Sequence, residues 1–192
     1  MTNTPVLLRQ WKDEDLAPYA AMSADAEVMR YFPKPLTLAE SEQSVLRLRA
    51  DIDRRGWGLW VVEIGGKFAG YTGLAEPKFT AHFTPCVEIG WKLRREFWGR
   101  GFSYAAALQA EAFAFQNLRL RELVSFTAAI NQRSRRLMER LEFTRSESED
   151  FHHPALPVES PLSLHVLYRK ANKLPPATTV DPQALQPCGS SF

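Results

Sequence analysis

Apolar residues in this chain fall into short runs broken by polar, glycine- and proline-bearing stretches, and the period inside each run differs. PVLLRQW over Pro5–Trp11 reads as a first strand. Asp13-Glu14-Asp15 then supplies a charged start whose carboxylates suit the positive end of a helix dipole, and Leu16–Met22 predicts a short helix. Thr37-Leu-Ala-Glu40 has the spacing of a capping box, and Val45, Leu48 and Ile52 recur at helical intervals up to Gly56, predicting a second helix over Leu38–Arg54. Trp57–Ile64 and Lys67–Leu74 are apolar runs joined by Gly65-Gly66, a hairpin signal. With Cys86–Leu93 they predict an antiparallel sheet. Phe102–Asn117 reads as a long alanine-rich helix and Glu122–Ala129 as a buried strand. Gln132–Leu141 reads as an amphipathic helix with Leu137, Met138 and Leu141 on one side, and Leu162–Arg169 as a last strand. This order, βααβββαβαβ, predicts an α+β (α/β layered) fold with a mixed sheet flanked by helices.

A length of 192 residues, with 45% apolar and 24% charged side chains, suits one ordered globular domain. Its expected span is 1–170. From Ala171 the text becomes ANKLPPATTVDPQALQPCGSSF, without periodicity and rich in Pro, Ser and Thr, so residues 171–192 are expected to form a disordered tail. A net charge of +2 argues against a nucleic-acid partner, which needs a strongly basic face. Arginines do gather at Arg94, Arg95 and Arg100, and again at Arg133, Arg135, Arg136 and Arg140: either receptors for a compact polyanion or solvated faces. Cys86 and Cys188 give no disulfide framework, and no metal site is expected. The N-terminal segment lacks a basic stretch leading into an apolar core, and no apolar run reaches membrane-spanning length, so a soluble, cytoplasmic protein is expected.

The stretch REFWGRGFSY, Arg95–Tyr104, sets Gly99 and Gly101 between a strand and a helix. Glycines there let a ligand approach the backbone, and a helix start offers free N–H groups and a partial positive charge to phosphate. No Gly-Lys-Ser/Thr follows, and Tyr104 stands where a third glycine would complete a dinucleotide fingerprint. About thirty residues later comes Asn131-Gln-Arg-Ser134, opening the helix that carries Met138.

In that order these motifs resemble the GNAT superfamily of acetyl-CoA-dependent N-acetyltransferases, over Thr4–Lys170, and within it the RimJ/RimL-like branch of ribosomal-protein N-terminal acetyltransferases. The resemblance implies a mostly antiparallel central sheet. It also implies that backbone amides of Trp98, Gly99, Arg100, Gly101, Phe102 and Ser103 hold the pyrophosphate of acetyl-CoA. The main chain of Leu93 and Arg94 would meet its pantetheine arm, with Asn131 on the other side, and one or more of Arg94, Arg95, Arg100 and Arg136 would meet phosphates. Three residues depart from the family pattern: Glu96 replaces glutamine or arginine, Glu142 replaces a glycine, and Met138 stands where many members carry a proton-donating tyrosine.

Amide formation needs a neutral amine, a polarised carbonyl and a proton for the leaving thiolate. Glu88, a carboxylate inside CVEIGW, is either the base or a solvent-facing residue of an alternating strand. Ser134, one turn before Met138, is either the proton donor or a helix cap, and Tyr168 is either a donor or a core tyrosine. A backbone N–H of the Glu88–Trp91 strand is expected to polarise the acetyl oxygen, with direct attack by the amine. His152, His153 and His165 are either bases or turn residues. Trp57, Trp60, Trp91, Phe32, Tyr31 and Phe79 are either acceptor-pocket or core aromatics, and Met29–Leu38 is expected to act as a lid. The expected function is acetyl transfer from acetyl-CoA to a primary amine, the acceptor unspecified; a catalytically silent acyl-CoA-binding module is the alternative.

Overall fold

A computed structural model describes residues 4–173. The elements follow the sequence pattern, with shifted ends. β1 spans Val6–Arg9 and α1 Leu16–Ala24. Asp13–Asp15 forms a separate 3-10 turn rather than the first turn of α1. Asp15 is buried, because Arg9 grips its carboxylate at 2.7 and 2.8 Å and the Lys12 amide donates to it. α2 covers Leu38–Arg55; Thr37 and Glu40 close the predicted capping box, and Gly56 ends the helix in a left-handed conformation. β2 (Leu59–Ile64) and β3 (Lys67–Ala75) form the hairpin across Gly65-Gly66, and β4 is Glu88–Leu93. α3 runs Phe102–Ala112 and widens into a π-helical turn over Phe113–Asn117. β5 (Glu122–Ala128), α4 (Gln132–Arg140) and β8 (Leu164–Ala171) follow the expected order. Between α4 and β8 lie two strands without a sequence signature, β6 (Thr144–Arg145) and β7 (Phe151–His152), both paired with β8. Two residues show no periodicity.

The sheet order is β1-β2-β3-β4-β5-β8-β6, antiparallel except where β4 meets β5. Alternation along β2 sends Val61 to one face and Val62 to the other. Val61 joins Trp11, Tyr19, Val45 and Ile52 beneath α1 and α2, whereas Val62 joins Leu93, Phe97 and Ala106 beneath α3. A further core of Leu74, Ile89, Leu123, Met138 and Leu141 joins α3 and α4 to the centre of the sheet. β8 carries its pairing one residue into the expected tail: Ala171 sits opposite Glu122, and Asn172 Nδ2 donates to the carbonyls of Phe115 and Leu120. Residues 174–192, which hold the rest of that tail and Cys188, lie outside the described residues.

Candidate active site

A parallel pair at the centre of an otherwise antiparallel sheet has no hairpin to hold it together. Among the described residues β4 and β5 share a single register pair, Glu88 with Val124, next to the bond from the Val124 amide to the Val87 carbonyl. Beyond it the strands part. Ser125 Oγ reaches across to donate to the Ile89 carbonyl at 2.8 Å, while on the other side of β4 Thr72 Oγ1 donates to the Gly90 carbonyl at 2.9 Å. Main-chain groups alternate along a strand, so Trp91, like Ile89, presents its N–H toward the gap.

The gap opens into a cleft of about 380 Å³. Glu88, Gly90 and Lys92 line it from β4, Ser125 and Thr127 from β5, and Asn131 and Ser134 from α4. Glu88 is half-buried and faces this space, and burial pushes its carboxyl up to about 7. Asn131 caps α4: its Oδ1 accepts the Ser134 amide at 3.3 Å and its Nδ2 donates to Thr127 Oγ1 at 2.9 Å, which fixes the side chain in the cleft wall. The Ser134 side chain lines the cleft. Tyr168 is elsewhere, buried in the core, where its hydroxyl donates to Glu139 Oε1 at 2.8 Å and faces Arg135 Nε at 3.4 Å.

The glycine loop lies at the end of β4. Gly99 and Gly101 have φ of 70° and 81°, the left-handed region that L side chains rarely adopt, and a Cβ on either would project into open space. Gly101 leads into α3 without a side-chain cap, and the first intrahelical bond is donated by Ala105. The amides of Phe102, Ser103 and Tyr104 thus head an eleven-residue helix that buries none of them in a cap. This open cradle fits a pyrophosphate. Trp98 and Ser103 connect the loop to the cleft, and Trp98 Nε1 donates to the Leu93 carbonyl at 2.8 Å. Of the arginines, Arg94 is engaged by Glu96 and the Phe68 carbonyl, and Arg95 by Asp25 and Glu27. Arg100 lies over Phe102, and Arg133 stacks on Trp98 at 4.0 Å. Arg136 is exposed on α4.

The candidate acceptor aromatics divide. Tyr31, Phe32 and Trp91 line the cleft, and Tyr31 and Phe32 belong to the expected lid segment. Trp57 and Trp60 pack against the central core, and Phe79 sits among Phe83, Phe126 and Phe151. His153 and His165 line the cleft with ring centroids 5.0 Å apart, and burial holds both below the ordinary imidazole range. His152 is bound to Ser163. Sequence reasoning passed over Ser125, Thr127 and Lys92. The first two become visible only once β5 is placed beside β4, whereas Lys92 left a signal, a lysine inside the apolar run EIGWKL.

The sheet is thus split at a parallel pair, with a glycine loop at one end of the split and a desolvated carboxyl at the other. The chain matches the acetyltransferase (GNAT) domain family over residues 6–144, and it belongs to that family. It is 31% identical over 124 residues to the FsC-acetyl coenzyme A-N(2)-transacetylase of Aspergillus fumigatus, a match covering 61% of this chain and 53% of that protein. The chain therefore spans about half the length of that curated relative. Among solved structures it resembles an acetyltransferase from Agrobacterium tumefaciens, with 25% identity, a TM-score of 0.69, and coverage of 88% of this chain and 92% of that one. It shares its fold with the ribosomal-protein-S5-alanine acetyltransferase of Vibrio fischeri, with 19% identity, a TM-score of 0.68, and coverage of 88% and 93%.

Proposed function

We propose that this protein transfers an acetyl group from acetyl-CoA directly to a primary amine, with Glu88 as general base. The observation that carries the reading is the Glu88 carboxyl, set where β4 and β5 part and desolvated to a pKa of about 7. A base must be partly ionised at working pH and able to keep the proton it takes; Glu88 meets both conditions near neutrality. Bound acetyl-CoA supplies an acyl group activated as a thioester. The Gly99–Ser103 amides hold its pyrophosphate, Arg100 and Arg136 add charge at its phosphates, and Leu93, Arg94 and Asn131 flank its arm. The Trp91 N–H, turned into the gap, polarises the acyl oxygen.

Ser134 protonates the departing sulfur or holds the water that does so. It replaces the family tyrosine here, since Met138 at that position is buried and has no proton to give. Tyr168 is less suited, with its hydroxyl proton directed to Glu139. An acyl-enzyme on Cys86 is disfavoured, because burial pushes that thiol up to about 11 and keeps it protonated. The silent-module alternative gains no support from a cleft that carries its own base. The ribosomal-protein branch is a finer reading, supported by the fold shared with the Vibrio fischeri enzyme, and it makes a protein N-terminus one acceptor to test.

The test is free-thiol release from acetyl-CoA with amine present, in the parent and in a Gly99→Ala/Gly101→Ala variant. The strain of placing alanine at positive φ is ~1–2 kcal/mol per site, small enough for the fold to survive, while the added methyls project into the open space that the phosphates would enter. The parent is expected to release thiol and the variant to lose coenzyme-induced stabilisation with an unchanged circular dichroism spectrum. A variant that binds acetyl-CoA as tightly as the parent would remove the cradle from the account.

A further inference from the structure

Lys92 stands four residues beyond Glu88 on the same face of β4, about 13 Å further along at ~3.3 Å per residue. It lines the same cleft, yet the residue is only 6% exposed. Its ammonium is caged by the rings of Tyr19, Phe32 and Tyr71 at 5.4, 4.9 and 5.3 Å. Its nearest acceptors are Ser23 Oγ at 3.3 Å and the Met29 sulfur at 3.4 Å, so three N–H donors meet one good acceptor and one weak one. The groups facing it come from α1 (Tyr19, Ser23), the segment after α1 (Met29, Phe32) and β3 (Tyr71), and none of them is a carboxylate. Of the two cleft-lining carboxylates, Glu27 is bound to Arg95 at 2.7 Å and Glu88 lies at the far end of the strand.

Elsewhere the fold neutralises its buried and half-buried charges. Asp15 is held by Arg9, and Lys170 by Glu111 and the Leu141 carbonyl. Among the described residues Lys92 is the buried cation without a carboxylate. Such a group is costly to fold around, and a ligand anion recovers in that dry setting attraction that bulk water would cancel. One wall of the cage meets solvent: Phe32 is 38% exposed and sits in the segment between α1 and α2.

We infer that Lys92 is the receptor for a carboxylate carried by the acceptor, so that the amine acetylated beside Glu88 belongs to an amino acid or an acidic peptide and not to a polyamine. This rests on the acetyl-transfer reading of the same cleft. A carboxylate entering past Phe32 pairs with the ammonium, while the amine, several bonds away, reaches Glu88. A polyamine would instead set a second ammonium against Lys92, a like-charge penalty that discriminates as strongly as the attraction does.

The experiment measures thiol release with ω-amino acids from glycine to 6-aminohexanoate, each beside its own amide, with the dipeptides Ala-Glu and Ala-Gln, both closed by a C-terminal carboxamide so that only the glutamate side chain carries a carboxylate, and with spermidine. The parent is expected to favour acid over amide at least tenfold in kcat/KM, with the longer ω-amino acids ahead of glycine, and Lys92→Met to bring that ratio close to one. Preference confined to Ala-Glu would assign the carboxylate to an acidic peptide; preference among the ω-amino acids would assign it to a small molecule. Equal rates for acid and amide, a best rate with spermidine, or a preference that survives in Lys92→Met would overturn the inference. A second readout needs neither turnover nor a variant: the carbon-13 titration of Lys92 in the parent. Its midpoint should rise by a pH unit or more with 6-aminohexanoate or Ala-Glu and stay still with the matching amides; no rise with either acid would overturn the carboxylate assignment. Absence of thiol release with every amine would count against acetyl transfer alone, and the titration would still decide the role of Lys92.

Discussion

A carboxyl that titrates near neutrality inside a cleft ties stability to activity, and Glu88 makes that link measurable. Its folded pKa is raised from 4.5 to about 7 by burial, so the native protein keeps a proton that the unfolded chain has released. The stability this contributes is present in full below pH 4.5 and is lost as pH rises through about 7, a change of about 3 kcal/mol. Glu88→Gln has no such dependence: it should match the parent near pH 4.5 and be more stable than the parent at pH 8. It should also lower kcat by roughly 10²–10⁴-fold, the usual contribution of a general base. Urea titrations at the two pH values and a pH–rate profile of the parent, rising with a midpoint near 7, check both halves. A Glu88→Gln enzyme that keeps the parent's profile would assign the base elsewhere. Glu88 was legible in the sequence because a carboxylate in an apolar run is a local anomaly. The reason it faces the cleft was not, since that depends on β5 leaving β4 after one register pair. Lys92 was equally anomalous, but its cage is drawn from α1, β3 and the segment before α2, which no spacing along the chain reveals.

At the scale of elements, the end of α4 shows how a departure from pattern is absorbed. Glu142 occupies a left-handed position at φ 63°; its amide donates to the Glu139 carbonyl and the next amide, of Phe143, to the Met138 carbonyl. This is the double closure that normally recruits glycine after a helix. The turn forms despite the glutamate because Phe143, Met138 and Leu141 are buried behind it in the central core. Glu142→Gly should therefore raise stability by about 1 kcal/mol, read as a higher denaturation midpoint with unchanged slope, and a fall in stability would contradict this account of the turn. Helices and long strands were legible from capping residues, Gly65-Gly66 and alternation. β6 and β7 were not, because two-residue strands are made by the β8 edge they join and not by their own side chains. The charged segment Asp13–Asp15 was read as serving a helix dipole, but Asp15 serves Arg9 and the Lys12 amide instead, a non-local pairing that overrode the local signal.

Across the whole molecule, α1 and α2 cover one face of the sheet and α3 the other, so a split at its centre connects the two sides. In the proposed reading the glycine cradle would hold the coenzyme at the α3 side and Glu88 and Lys92 would hold the acceptor at the α1–α2 side, leaving the acyl group only the gap between β4 and β5 to cross. Such a partition would let the amine attack the thioester directly, as the proposed function requires. The most direct test of this account is one sample followed twice: a thermal melt with and without acetyl-CoA, then free-thiol release on adding amine acceptors. Coenzyme at about a hundred times its dissociation constant should add ~2.7 kcal/mol of stability, and thiol release should begin only when an amine is added. No stabilisation by acetyl-CoA, or thiol release indifferent to amine, would contradict it.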